Sequence, residues 1–178
     1  MRNLRKFLLN AWEVLEVVLI ATATVLIIRT FLIQPFLVSG ASMEPNFSDG
    51  NYLLIDEITY RFREPQRGET VVFRYPGDRD LFFIKRIVGL PGERVGIKDN
   101  VITIDGEALA ESYYLDGQDI KTVGTVDITL DLDQYFVLGD NRYNSFDSRN
   151  WGPLTRNDIT GLVRLRVLPI SELELFSY

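Results

Sequence analysis

The sequence predicts an all-β fold: antiparallel sheets in a partly closed, barrel-like domain, behind one amino-terminal transmembrane helix. Three observations carry that prediction. From Asn51 onward, short β-branched and aromatic runs alternate with breaks rich in Gly, Asp and Asn. No apolar repeat at helical spacing of comparable length follows residue 36. Ahead of it lies one apolar stretch long enough to cross a bilayer.

That stretch follows Arg2, Arg5 and Lys6. Val14 to Ile33 would make about 30 Å of helix, the thickness of a hydrocarbon core. Glu13 and Glu16 can sit at the near interface, and Arg29 can snorkel at the far end. Pro35 biases Gln34 toward extended backbone and should stop the helix. Ala21-Thr22-Ala23 looks like a leader cleavage site, but it lies inside the apolar run rather than after it, so a retained anchor fits better. A basic start and an acidic remainder put the amino terminus in the cytoplasm. The chain then divides into an anchor over residues 1–35 and an extracytoplasmic domain over residues 36–178.

Strands are expected at 51–55, 69–73 and 81–88, and as a hairpin at 95–97 and 101–104 turning at Asp99-Asn100. Further strands are expected at 125–132, 134–138 and 161–168. Residues 94–134 read as a hairpin-rich insertion, because they separate two polar motifs and carry none.

The 178 residues carry a net charge of −6, which argues against nucleic-acid binding, since phosphates demand a basic face. With no histidine and no cysteine, Ser-His-Asp and Cys-His hydrolases, thiolate metal sites and disulfides are excluded. No spaced carboxylate motif suggests a metal, and no cofactor is implied. A serine nucleophile would need lysine as its base, and a lysine serves only as a free amine, so its pKa must fall well below the usual ~10.4. Burial does that. Lys85 lies in Phe83-Ile84-Lys85-Arg86-Ile87, where strand alternation puts Phe83, Lys85 and Ile87 on one face. Ser42 lies in the loop Ser39-Gly40-Ala41-Ser42-Met43, where Gly40 permits close approach and the Ser42 N–H can help to form an oxyanion hole. A third block, Gly139 to Arg149, is densely polar directly after an apolar strand. Taken singly, these are also what a surface lysine, a turn serine and a solvated loop look like; the case for a Ser-Lys dyad rests on their combination.

Four segments, Ser39–Pro45, Arg67–Phe73, Lys85–Glu93 and Gly139–Arg149, resemble in content and order the sequence boxes of the bacterial type I signal peptidases, and they follow the amino-terminal anchor that family carries. The resemblance implies Ser42 as nucleophile and Lys85 as general base, with peptide hydrolysis through an acyl-enzyme. It implies that Ser145 orients the lysine amine, that Asp140 pairs with Arg86, and that Asp147 pairs with Arg149. Phe36, Val38, Met43 and Phe83 would line shallow pockets for small side chains at substrate positions −1 and −3. The implied substrates are exported preproteins, and the implied site is the bacterial plasma membrane, single-pass, with a thylakoid membrane equally compatible. Two positions depart from the common pattern. Gly40 stands where many members have a serine that assists the oxyanion hole, as in Gram-positive-type members, and Asn46 stands where threonine is usual. Two other readings are a tethered, inactive binding protein on the same fold and a self-cleaving Ser-Lys regulator. The first is opposed by the intact Ser42, Lys85 and Ser145. The second would normally carry a DNA-binding domain where this chain has an apolar helix.

Overall fold

The computed structural model describes residues 12–24, 33–111 and 121–178. Residues 12–24 form a helix (α1) whose side chains are exposed. The expected span from Val14 to Ile33 continues over residues 25–32, which lie outside the described residues. Among the described residues, no helix is long and apolar enough to cross a membrane.

The remaining elements are β1 (Ile33–Leu37), β2 (Tyr52–Asp56), α2 (Thr59–Phe62), β3 (Thr70–Tyr75), β4 (Asp78–Gly89), β5 (Arg94–Lys98), β6 (Val101–Ile104), β7 (Glu107–Ala108), β8 (Val126–Thr129), β9 (Gln134–Leu138), α3 (Ser148–Trp151), β10 (Leu154–Thr155), β11 (Ile159–Leu168) and β12 (Glu174–Leu175). The fold is mostly β, and every pairing is antiparallel. One sheet runs β1-β2-β11-β3-β4-β9-β10, with β12 beside β11, and a second runs β7-β6-β5-β8.

The larger sheet does not close into a barrel: β1 and β10 stand at its two ends, unpaired with each other. Both ends are poor templates. Pro35 removes a donor from β1, as suits an edge strand, and β10 has only two residues. The sequence also predicted helix as far as Ile33, where the strand β1 begins and pairs Gln34 with Ile55 and Phe36 with Leu53.

Strand β9 of the larger sheet faces two cores. Tyr135 and Val137 of β9 pack with Val71, Phe73, Ile87 and Leu162. Their neighbours Phe136 and Leu138 pack the other way, with Val88, Val95, Ile97 and Ile102 beneath the second sheet. That explains why Tyr135-Phe136-Val137-Leu138 is apolar without alternation: both faces are covered. The hairpin β5-β6 turns at Asp99 and Asn100, both at positive φ (51° and 66°), the backbone that a two-residue turn of this hand requires.

Candidate active site

Ser42 sits on the loop between β1 and β2, which is tied at its base and across its middle. Val38 N–H donates to the Asn51 carbonyl at 2.9 Å, and Gly50 N–H to the Val38 carbonyl at 3.0 Å. Gly40, at φ +89°, turns its N–H onto Asp49 Oδ1 at 2.7 Å, a conformation that any side chain would strain. Beyond Ser42, Met43 and Phe47 are fully buried against Val38, Leu53, Ile55, Val72 and Val163, so the loop is bolted to the core on both sides of the hydroxyl.

Lys85 reaches this hydroxyl from β4. Its Nζ lies 2.7 Å from Ser42 Oγ and donates to the Ile84 carbonyl, also at 2.7 Å. Phe83 packs against the core and Ile87 lies within it, so the strand face that carries Lys85 is turned inward, and the residue is only 4% exposed. Burial penalises the ammonium and brings the pKa down from 10.5 to about 8, even though Asp147 and Asp140 pull the other way.

The polar block after β9 wraps behind both residues. Arg86 grips Asp140 with two parallel bonds, Nε to Oδ1 at 2.7 Å and Nη2 to Oδ2 at 2.6 Å, and donates to the Gly68 carbonyl. Asn46 donates to the same carboxylate at 2.7 Å, which gives that departure from the common pattern a bracing contact. Asp147 caps α3 and is held by Arg149 through two bonds of 2.8 Å and by Gly139 N–H at 3.0 Å. Burial would raise the Asp147 pKa, but these donors outweigh it and hold the carboxylate below its ordinary value. Gly139 is needed for close approach, because an added Cβ would lie 2.2 Å from Ser145 Oγ and 2.4 Å from the Ser42 carbonyl oxygen.

Ser145, expected to orient the lysine amine, makes no hydrogen bond to Lys85. Its hydroxyl is buried and without a bonded partner among the described residues, although it stands near enough to Asp147 to help lower that carboxyl. Asn141, which sequence reasoning passed over, ties the block to the nucleophile loop. Its N–H donates to the Ser42 carbonyl and its side-chain amide to the Ala41 carbonyl, each at 3.1 Å.

A cleft of about 210 Å³ opens beside Ser42 and Lys85. Phe36, Val38 and Phe83 line it, together with Leu53, Val72, Phe82, Ile84 and Phe146. Met43 does not. It is wholly buried beneath the loop, because the turn that exposes Ser42 sends the next side chain into the core. Met43→Leu should therefore cost less than about 1.5 kcal/mol and leave substrate preference unchanged. Thermal unfolding, with cleavage of peptides varied at −1 and −3, checks this; a changed preference would put Met43 back in the pocket. Phe146 was legible only as a lone aromatic in a polar run. Between the inward Ser145 and Asp147 it stays half-exposed and packs edge-on to Tyr75.

Among the described residues, no cluster of three or more His, Cys, Asp or Glu is placed to hold a metal ion. The arrangement offers instead a hydroxyl and a buried, low-pKa amine in contact, at the mouth of an apolar cleft. The Ser42 N–H beside them is without a hydrogen bond among the described residues.

Comparison with known proteins places the chain in a family. A family model described as signal peptidase, peptidase S26, matches residues 11–168. A signal peptidase I of Bacillus amyloliquefaciens is 36% identical over 91% of this chain and 88% of its own length. One of Bacillus licheniformis is 33% identical over 92% of each chain. A solved signal peptidase I from Enterococcus faecalis V583 is 30% identical, with a TM-score of 0.49, covering 56% of this chain and 97% of that one. The chain therefore belongs to the signal peptidase family, peptidase S26, and is a serine endopeptidase of the bacterial type I signal peptidases.

Proposed function

We propose that this chain is a membrane-anchored Ser-Lys endopeptidase that removes signal peptides from exported preproteins after small-x-small sequences. The observation that carries the reading is the 2.7 Å contact between Ser42 Oγ and a lysine amine that is 4% exposed. As a free amine, Lys85 spends one N–H on the Ile84 carbonyl and turns its lone pair to the Ser42 hydroxyl. Ser145 is kept as the group that orients the amine on the strength of the motif resemblance, its buried hydroxyl being without a bonded partner among the described residues.

In the mechanism, Ser42 Oγ attacks the scissile carbonyl carbon while its proton passes to Lys85 Nζ. The oxyanion that forms accepts from the Ser42 N–H and its neighbours in the loop; with glycine at position 40, no hydroxyl assists from there. Lys85 returns the proton to the departing amine, which becomes the amino terminus of the mature protein, leaving an ester on Ser42. Water, deprotonated by Lys85, then attacks the ester and releases the signal peptide as a carboxylate. Arg86 with Asp140, and Arg149 with Asp147, brace the groups that flank the dyad.

Substrate would lie extended. Among the described residues, strand β4 is paired on the side of β9 from Arg86 onward, which leaves the edge from Asp78 to Lys85 without a strand partner there, beside the cleft. A strand added there brings alternate side chains to one face. The cleft walls Phe36, Val38 and Phe83 are apolar and the space is small, which suits short side chains at −1 and −3. The anchor over residues 1–35 would hold the domain over residues 36–178 at the outer face of a bacterial membrane, where a preprotein tethered in the same bilayer presents its cleavage site.

The test incubates detergent-solubilised protein with several preproteins and maps the new amino termini, while a serine-acylating inhibitor is located by peptide mass. Cleavage after small-x-small, with label on Ser42, is expected. Label on another serine, or no cleavage by demonstrably folded protein, would overturn the reading.

A further inference from the structure

Arg142 has no place in the dyad or in either bracing pair, yet it is among the largest fully buried side chains of the protein. A guanidinium so placed carries a heavy desolvation cost unless every donor is used. Here the donors reach in two directions. Nε donates to the Gly139 carbonyl at 3.0 Å. Nη1 donates to Glu111 Oε2 at 2.6 Å and to Thr122 Oγ1, and Nη2 pairs with Glu111 Oε1. Glu111 and Thr122 belong to the connection between β7 and β8, the strands at either end of the second sheet. Gly139 belongs to the catalytic loop and packs against the Ser42 carbonyl and the Ser145 hydroxyl.

A second strut runs parallel to the first. Arg149, already bound to Asp147, donates to the Arg142 carbonyl at 2.7 Å and to the Val123 carbonyl at 3.0 Å. Gly139 is thus held from its carbonyl by Arg142 and from its N–H by Asp147. Residues at the two ends of the β7–β8 connection, Glu111 on one side and Thr122 and Val123 on the other, supply the far anchors of the struts.

We infer that Arg142 is a positioning residue that clamps the connection of the second sheet onto the catalytic loop and so sets where Gly139 rests against Ser42. The inference rests on the Ser42–Lys85 reading. It gives Glu111 and Thr122, at the ends of the β7–β8 connection, a part in aligning that loop. Lysine could keep the charge but not the fork, and a point donor cannot span Gly139, Glu111 and Thr122 together.

The test compares Arg142→Lys, Thr122→Val and Thr122→Ser in the full chain. kcat is measured per active site titrated with the serine-acylating inhibitor, so that misfolded protein is not counted. Arg142→Lys should lower that kcat by about 10- to 100-fold, the effect of a misplacement of an ångström or less, with KM changing less than kcat. Thr122→Val should lower it by a smaller factor, and Thr122→Ser, which keeps the hydroxyl, should restore it. Wild-type kcat per titrated site in Arg142→Lys and Thr122→Val overturns the inference; if Arg142→Lys does not fold, the two Thr122 variants decide it alone. Wild-type protein that never acylates at Ser42 would instead overturn the dyad reading, and this inference with it.

Discussion

Lys85→Met is expected to cut signal-peptide cleavage by about 10²- to 10⁴-fold and, at neutral pH, to make the fold more stable. The loss follows from the loss of a base, since a thioether of similar reach fills the space but takes no proton. The gain follows from linkage. Burial lowers the Lys85 pKa from 10.5 to about 8, so between those values the unfolded chain binds a proton that the folded chain does not. Stability of the wild type therefore rises as pH rises from about 8 to 10.5, and the full cost of burying the lysine is present below about 8. Methionine removes that cost, worth up to about 3 kcal/mol, against which the bonds to Ser42 and Ile84 are lost. The variant should unfold at higher temperature than wild type at pH 7, and the advantage should vanish toward pH 10.5. In wild type, cleavage should rise through about pH 8 as the free amine appears. No stability gain at pH 7 would mean that the amine is not desolvated; cleavage that survives in the variant would mean that another base serves Ser42.

The same residue shows how much could be read in advance. Alternation along Phe83-Ile84-Lys85-Arg86-Ile87 is a local property, and it put the lysine on one face with Phe83 and Ile87; that this face is the inward one is seen only in the packing. The partner of Arg86 and the position of Ser42 came from matched motifs. Met43 shows where this runs out. An apolar residue beside a nucleophile can line the pocket or bolt the loop down, and only the loop's path through Gly40 and Phe47 decides. Asn141 and Arg142 lie within the polar block from Gly139 to Arg149, but their partners, Ala41, Ser42, Glu111 and Thr122, are distant in sequence and of ordinary type. The extended backbone at Gln34 and the helix stop at Pro35 were legible, but not that Ile33 to Leu37 forms a strand, because its partner β2 is distant in sequence. The helices α2 and α3, four residues each, are too short to leave a period at all. Barrel closure depends on what lies at the two sheet ends, which no local pattern records.

Arg86→Met, with Asp140 kept, should destabilise the protein by about 3–5 kcal/mol, because a carboxylate that is almost wholly buried loses its bidentate partner. Asn46 would remain as one donor to that carboxylate, which softens the loss without neutralising the charge. Adding Asp140→Leu should recover part of the stability, since two apolar groups need no pairing, although the Gly68 carbonyl and Asn46 would still lose their bonds. A double-mutant cycle by chemical denaturation therefore separates the pair from its surroundings, and a double variant as unstable as the sum of the singles would deny that the two charges are coupled. Catalysis responds with its own sign. Asp140 is one of the two charges that raise the Lys85 pKa, so Asp140→Asn should let it fall below about 8 and move the rise of the pH–rate profile to lower pH. Less of the activity would then be lost on acidification, whatever happens to its ceiling. The profile measured on the folded fraction decides: a rise displaced upward would mean that burial, rather than Asp140, had changed around the amine.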